Sequence, residues 1–278
     1  MSCLFVVGLP IGNLKDITLR ALEVLKRVRY VVCEDTRSFK KLINYYQLGE
    51  KNLISFYKNI EKKRIPKILE LLKKGEEVAL VSEAGTPLLS DPGALLVKEV
   101  YQNRIKIVPV PGVSALTCAL SVSGIFLEKG FLFLGFLPRK KLEKIKLLSK
   151  VPIDLPLVIF EAPHRFKKTL KELLEILGNR KCFLARELTK IYEELTWSDF
   201  KSLLEREEFL GEITLIIMPE ENSFLKTDLI NIKDGELLEV IKKEFELLKN
   251  QGFKLKERIK LLAQKYGLSS KELYQLFS

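Results

Sequence analysis

Short runs rich in β-branched and aromatic residues alternate with segments of helical periodicity from the N-terminus to about residue 219. A chain organised this way is expected to fold as an α/β protein with largely parallel sheets. Strands are expected over Cys3 to Leu9, Tyr30 to Cys33, Val78 to Ser82 and Ile105 to Val110. A second series is expected over Phe131 to Phe136, Leu157 to Glu161, Cys182 to Ala185 and Glu212 to Met218. Between the first two strands, Ile17, Ala21, Leu22, Leu25 and Val28 recur at helical spacing behind Asp16, a good N-cap residue.

The two series are separated at Pro109-Val110-Pro111-Gly112, where the chain is punctuated before a helix-like Ser114 to Ser121. Strand signals stop after Pro219-Glu220-Glu221-Asn222, and Gly235 to Asn250 and Leu255 to Tyr266 read as two amphipathic helices. A third, short helix follows Gly267-Leu268-Ser269-Ser270, with Ser269 and Glu272 as a capping box and Gly267 as the preceding C-cap. This gives an α/β domain at 1–111, a second at 112–222 and a small helix-turn-helix-like appendage at 223–278. The appendage suits RNA contact, or equally packing or dimerisation.

Composition narrows the function classes. The chain is 47% hydrophobic and 30% charged, a globular balance, and its apolar runs break well short of the ~18 residues of a membrane span. No basic segment precedes the first apolar run, so secretion is not indicated and a cytoplasmic location is expected. Cys3, Cys33, Cys118 and Cys182 are widely spaced, which suggests buried thiols rather than a disulfide framework or zinc site. With His164 as the single histidine, imidazole-based metal triads are excluded. The net charge of +11 suits a polyanionic partner, although lysine-rich surfaces also arise for solubility or heat adaptation.

Polar residues gather at the carboxyl ends of the expected strands: Glu34 and Asp35, Ser82 and Glu83, Glu161, then Arg186 and Glu187. In open α/β sheets, ligands bind outside those ends, so the clustering marks one candidate cleft. The first loop, Gly8-Leu9-Pro10-Ile11-Gly12-Asn13-Leu14, is no Rossmann fingerprint, and the P-loop pattern is absent as well. A second loop, Ser82 to Gly93, concentrates small, turn-forming and hydroxyl residues after a strand.

These loops carry a resemblance. Gly8 to Leu14 with Asp16-Ile17-Thr18, Glu34-Asp35-Thr36-Arg37 and Ser82 to Gly93 resemble the 16S ribosomal RNA cytidine 2′-O-methyltransferase family. Pro111 to Ala115, Gly135 to Lys140, Phe160 to Arg165 and Ala185 to Lys190 continue the series in order. The resemblance covers roughly residues 3 to 219. It implies a two-domain tetrapyrrole-methylase-like (class III methyltransferase) fold that binds S-adenosylmethionine between its α/β domains, acts as a homodimer and takes 16S rRNA or the small ribosomal subunit as substrate, with no membrane partner. By position it implies cofactor contacts at Leu9, Pro10, Thr86, Leu89, Val113, Ser114, Phe160, Ala185 and Thr214. Glu83, Leu9 and Val113 depart from the residues common in the family.

Methyl transfer from a sulfonium requires the enzyme mainly to hold the ribose oxygen in line with the methyl group and to accept its proton. Asp35 and Glu187 are the candidate acceptors; Arg37 and Arg186 are candidates for pairing with phosphate or orienting those carboxylates, and Asn13 for hydrogen bonding to ribose or base. An Asp followed by Arg two residues later is also a common local ion pair or helix cap. Arg139, Lys140 and Lys141, continued by Lys144, Lys146 and Lys150, form a basic run suited to RNA phosphates or to a solvated helix face. A methylase of a small tetrapyrrole and a catalytically silent RNA-binding assembly protein are the alternatives these residues leave open.

Overall fold

The computed structural model describes residues 2–152, 154–219, 235–250, 253–266 and 270–277. The first sheet contains β1 (Cys3–Val7), β2 (Tyr30–Cys33), β3 (Asn52–Ser55), β4 (Val78–Val81) and β5 (Lys106–Val110), all parallel, in the order β3-β2-β4-β1-β5. Each connection crosses over through a helix: α1 (Leu19–Arg27), α2 (Thr36–Tyr46), α3 (Glu61–Lys73) and α4 (Ala94–Gln102). Strand alternation sends Phe5, Val7, Val31, Ala79 and Val81 to one face, under α1 and α2, and Leu4, Val32, Val78 and Leu80 to the other, under α3 and α4. Burial on both faces explains why β4 reads as an unbroken Val-Ala-Leu-Val run.

The cap of α1 differs from expectation. Asp16 closes a single 3-10 turn (Leu14–Asp16), and Thr18 is the N-cap, its hydroxyl accepting from the Ala21 amide at 3.1 Å. Thr18 alone lies at the position from which a side-chain oxygen reaches the third helical amide, an interaction worth about 1 kcal/mol.

The second sheet contains β6 (Leu132–Phe136), β7 (Leu157–Glu161), β8 (Lys181–Arg186), β9 (Glu194–Asp199) and β10 (Ile213–Ile217), in the order β6-β7-β10-β8-β9. It is not largely parallel, contrary to the sequence expectation. Only β6 and β7 pair in parallel, whereas β10 runs antiparallel to both β7 and β8, and β9 antiparallel to β8. Residues 187–193 are too few for a crossover, so β8 and β9 must form a hairpin. The edge strands β3 and β9 were not anticipated. β3 is four residues long, and β9 alternates apolar residues with Glu194, Thr196 and Ser198, a pattern too polar to read as a core strand.

One face of this sheet is covered by α6 (Lys141–Leu148), α7 (Pro163–Leu177) and α8 (Phe200–Leu204), which bury Leu157, Ile159, Leu184, Leu215 and Ile217. The other face carries Val158, Phe183, Ala185 and Ile216. It is covered by α5 (Ala115–Ser123) together with Ile11 from the loop after β1. The second sheet therefore meets the loops of the first across that face.

By contact, Met1–Val151 with Pro156–Ile217 form one compact unit, and Pro152–Leu155 with Met218–Ser278 a second. In the second unit, α9 (Gly235–Asn250), α10 (Leu255–Tyr266) and α11 (Ser270–Phe277) share a core of Ile241, Phe245, Ile259, Leu262 and Leu273. Gly267 and Ser269, and with them the expected C-cap and capping box, lie outside the described residues, as does the stretch that begins at Glu220. Among the described residues no helix is long and apolar enough to cross a membrane. Cys3, Cys33, Cys118 and Cys182 are free, and burial pushes the Cys33 and Cys182 thiols up to about 12.

Candidate cofactor and substrate site

The strands β1 and β4 are neighbours, yet α1 leaves β1 on one face of the sheet and α4 leaves β4 on the other. This is a topological switch point, where the divergence of the helices opens a crevice. The loops that flank it are bound to each other: the Leu9 amide donates to the Gly85 carbonyl at 2.8 Å, and the Gly85 amide to the Leu9 carbonyl at 3.1 Å. The Thr86 hydroxyl donates to the Val113 carbonyl at 3.1 Å, which brings in the loop after β5. Gly8 and Gly112 cross so closely that a Cβ on either would lie 2.8 Å from the other's Cα, which excludes any side chain. Leu88 (φ 72°) and Ser90 (φ 73°) are held in the left-handed region, each at a cost of about 1–3 kcal/mol. Non-glycine residues in that conformation persist where the surroundings over-determine them.

From the second sheet, Phe160, Thr214 and Ala185 lie side by side on β7, β10 and β8, with Thr214 the registered partner of both others. Val113, Phe160 and Ala185 belong to one apolar cluster with Ile11 and Leu188. Ser114 is the N-cap of α5 but makes no side-chain capping bond, and the hydroxyls of Ser114 and Thr214 have no partner among the described residues although both residues are buried. Neither hydroxyl oxygen is fully enclosed, so both are open to a ligand. Two free hydroxyls beside an apolar wall fit a ligand with both apolar and hydrogen-bonding parts, as S-adenosylmethionine is. Of the sequence-derived cofactor contacts, Leu9, Thr86, Val113, Phe160, Ala185 and Thr214 are thus linked by bonding, register or packing. Pro10 is buried beside Leu9, and Leu89 stands exposed on the loop that carries Thr86.

The candidate catalytic residues fall into two groups, Asp35 with Arg37, and Arg186, Glu187 and Asn13 around the turn after β8, and no hydrogen bond or ion pair joins the two groups among the described residues. Asp35 is the N-cap of α2, its carboxylate accepting from the Arg37 amide at 2.7 Å and pairing with the Arg37 guanidinium at 3.3 Å. The Arg37 side-chain bond, followed by its backbone amide, holds the Asp35 carboxyl below its ordinary range. Glu187 has a left-handed backbone (φ 52°), and its Oε1 accepts from the Lys190 ammonium and the Glu212 amide, both at 2.8 Å. Burial pushes the Glu187 carboxyl up, but the Lys190 bond and the Glu212 amide, with the charges of Lys190 and Arg186, outweigh it and leave the carboxyl lowered. Arg186 binds Glu194 at 2.9 Å and the Leu210 carbonyl at 3.0 Å. Asn13 caps the 3-10 turn with its side-chain oxygen, and its backbone amide donates to the Thr189 hydroxyl at 3.0 Å, tying the first loop to the turn after β8.

The polar strand tips do not form one cleft. Pleating puts Glu161 and Arg186 on the face of Ile159 and Leu184, toward α7 and α8, opposite Phe160 and Ala185. Glu161 is buried and accepts from the Thr169 hydroxyl at 2.6 Å and the Ala162 amide at 2.9 Å, and it pairs with Arg165 at 3.3 Å. At the first sheet, Glu34 and Glu83 approach Asp91. Burial, then Glu34 and Glu83, push the Asp91 carboxyl up to about 6. The sequence had marked Asp91 only as part of its loop, since a pKa arises from neighbours distant along the chain.

The basic run divides. Arg139, Lys140 and Lys141 are exposed, with Lys140 pairing with Glu143 at 3.5 Å and Lys141 with Glu175. Lys144 does not face solvent: it is 1% exposed, and its ammonium binds Glu172 at 2.6 Å. Its position on the inner face of α6 puts it against α7, so it cannot track phosphates. A cavity of about 750 Å³ between α3 and α4 contains none of the sequence-derived site residues.

The profile of the Tetrapyrrole (Corrin/Porphyrin) Methylases matches residues 3–203. Among solved structures, diphthine synthase superposes with a TM-score of 0.61 at 15% identity, over 81% of this chain and 93% of that one. Uroporphyrin-III-C-methyltransferase from Thermus thermophilus does so with a TM-score of 0.54 at 20% identity, over 77% and 93%. Those two likenesses speak to the fold alone. The ribosomal RNA small subunit methyltransferase I of Thermotoga maritima is 46% identical over 80% of this chain and 100% of its own length. That of Bacillus subtilis is 38% identical over 100% of this chain and 94% of its own. The chain belongs to the tetrapyrrole methylases and, within them, to the family of ribosomal RNA small subunit methyltransferase I.

Replacing Thr214 with Val keeps the shape of β10 and removes only the free hydroxyl; S-adenosylmethionine affinity, read by calorimetry, is expected to fall about tenfold with little change in Tm. Asp91, raised in the folded chain, holds its proton between its ordinary value and about 6, so its contribution to stability is present at low pH and lost as pH rises through that window. Asp91→Asn is therefore expected to raise Tm relative to the parent chain at pH 7.5 and not at pH 4. A Tm difference independent of pH would contradict it.

Proposed function

We propose that this chain transfers a methyl group from S-adenosylmethionine to the 2′-hydroxyl of a cytidine in the 16S RNA of the small ribosomal subunit, in the cytoplasm and as a homodimer. The observation that carries the reading is the similarity, along nearly the whole chain, to proteins named for methylating small-subunit ribosomal RNA. We divide the chain functionally into α/β domains at 1–111 and 112–222 and an appendage at 223–278. When bound, the cofactor supplies a methyl group that is already electrophilic on its sulfonium. The chain's own task is orientation and proton acceptance.

Leu9, Pro10, Thr86, Leu89, Val113, Ser114, Phe160, Ala185 and Thr214 would hold the cofactor. Glu187 is favoured over Asp35 as proton acceptor, because its Oε2 is uncommitted among the described residues whereas both oxygens of Asp35 are engaged by Arg37. Asp91 joins them as a carboxyl on the loop that carries Thr86, raised toward neutrality by burial and by Glu34 and Glu83 and so a stronger base. Arg37 orients Asp35, Arg186 braces the start of the turn that carries Glu187, and Asn13 retains its side-chain amide for ribose or base. Arg139, Lys140 and Lys141 would contact RNA phosphates.

The dimer face proposed is that of α5 and β9. Phe126 (89% exposed) and Ile191 (94%) flank Val122, Leu195 and Trp197, and the Trp197 indole donates to the Ser123 carbonyl, joining strand and helix. Exposed apolar residues in this number are characteristic of an association surface. Sedimentation of Phe126→Asp/Ile191→Asp should give a folded monomer where the parent chain is a dimer; a parent monomer refutes the assignment.

The decisive experiment is transfer of labelled methyl to small subunits that lack the modification, with the product nucleoside identified by mass spectrometry. Label is expected in 2′-O-methylcytidine at one position. The true acceptor's variant, among Glu187→Gln, Asp91→Asn and Asp35→Asn, should lose about 100-fold or more in kcat with cofactor affinity kept. Label in a base overturns the ribose mechanism, and cofactor binding without RNA label redirects the search to a small substrate.

A further inference from the structure

Behind the turn that joins β6 to α6 lies a cavity of about 280 Å³, lined by Arg139, Lys144, His164, Arg165, Lys168, Thr169 and Glu172. Its charges are unequally spent. Lys144 and Glu172 neutralise each other in the floor at 2.6 Å, and Thr169, which bonds Glu161, closes that floor. Arg165 is fixed through Nη2 alone, to the Leu137 carbonyl at 3.0 Å and Glu161 at 3.3 Å, so its Nε and Nη1 have no partner among the described residues. Arg139 and Lys168 make no hydrogen bond or ion pair with any described residue. The pocket also receives the start of α7, where Ala162 offers no side-chain cap and Pro163 has no amide hydrogen, leaving the His164 amide without a partner among the described residues at the positive end of the helix. A buried neutral floor, a guanidinium held on one edge and two uncommitted cations at the rim form a site for a compact anion.

The geometry points to this cavity as the seat of one phosphodiester of the RNA strand whose ribose is methylated, an inference that rests on the RNA reading above. The neighbouring side chains select that source over a free anion. Phe136, three residues before Arg139, is 53% exposed, pairs in register with Phe160 and meets its ring at 5.8 Å. An exposed ring beside the Phe160 wall is a stacking surface for an unpaired base. The Cα atoms of Phe136 and Arg139 can lie no more than roughly 11 Å apart, so one short turn presents a base platform on the cofactor face and a phosphate seat on the other. The Arg165–Leu137 bond locks that turn to α7. Lys140 and Lys141, committed to Glu143 and Glu175, would then contribute less to RNA than Arg139, with Lys168 and Arg165 taking the larger share.

The test measures small-subunit RNA binding by the full chain across a salt series, with S-adenosylmethionine affinity measured in parallel. Arg139→Gln/Lys168→Gln alters two exposed side chains, and Lys63→Gln/Lys67→Gln on α3 removes the same charge elsewhere. The pocket variant is expected to weaken RNA binding roughly tenfold, lower the log–log salt slope by close to one and leave cofactor affinity unchanged, while the α3 variant moves the slope far less. Equal slopes for the two variants overturn the pocket. Loss of inorganic phosphate binding in the pocket variant with the RNA slope unmoved overturns it in favour of a small-anion site. A parent chain that binds cofactor but no small-subunit RNA overturns the RNA reading and the pocket together, whereas RNA binding with an unmoved slope removes the pocket alone.

Discussion

The reciprocal pairing of the Leu9 and Gly85 amides is the constraint on which the rest of the site depends. It bridges two loops that leave adjacent parallel strands while their helices diverge to opposite faces of the sheet. Without it the crevice at the switch point would have walls free to move independently. With it, Thr86 reaches the Val113 carbonyl, Gly8 and Gly112 cross at backbone contact, and Ile11 is set against the second sheet. The left-handed Leu88 and Ser90 are tolerated because both ends of their loop are held, at Gly85 by this bridge and at Gly93 by the buried Glu61, whose carboxylate accepts the Gly93 amide at 3.1 Å.

The second sheet uses its pleat to keep two environments apart. The face of Phe160, Thr214 and Ala185 offers apolar surface and the free Thr214 hydroxyl to the crevice. The residues next to them, Glu161 and Arg186, turn to the opposite side, where Glu161, Thr169, Arg165, Lys144 and Glu172 form a continuous polar network beneath α6 and α7. Buried ion pairs contribute little net stability, but removing one partner costs about 3–5 kcal/mol because a charge is left uncompensated. The network is therefore a rigid support for the turn after β6.

Much of this was legible in the chain. Strands β2 and β7 occur at their expected bounds, and the other six expected strands within two residues at either end, because runs such as Val78-Ala79-Leu80-Val81 have few alternatives to burial. Strands β3 and β9 were not legible, since β3 is only four residues long and β9 places Glu194, Thr196 and Ser198 between its apolar residues. The sense of β10 was also hidden: strand direction is decided by how the chain returns, and a strand's composition is the same in either direction. Asp16 and Thr18 are both good capping residues, and choosing between them required knowing that the first of them closes a 3-10 turn.

The sequence alone determined the alternation of strand and helix, the family and hence the cofactor, since each is written in residues close together along the chain. Only the tertiary structure decided which of those residues face one another. It joined Thr214 to Phe160 and Ala185 across three strands, put Glu161 on the far side of the sheet from them, raised Asp91 through Glu34 and Glu83, and buried Lys144 while leaving Arg139 free. The physical reason is that pleat, register and electrostatic neighbourhood depend on pairings between distant segments, and local propensity carries no record of them.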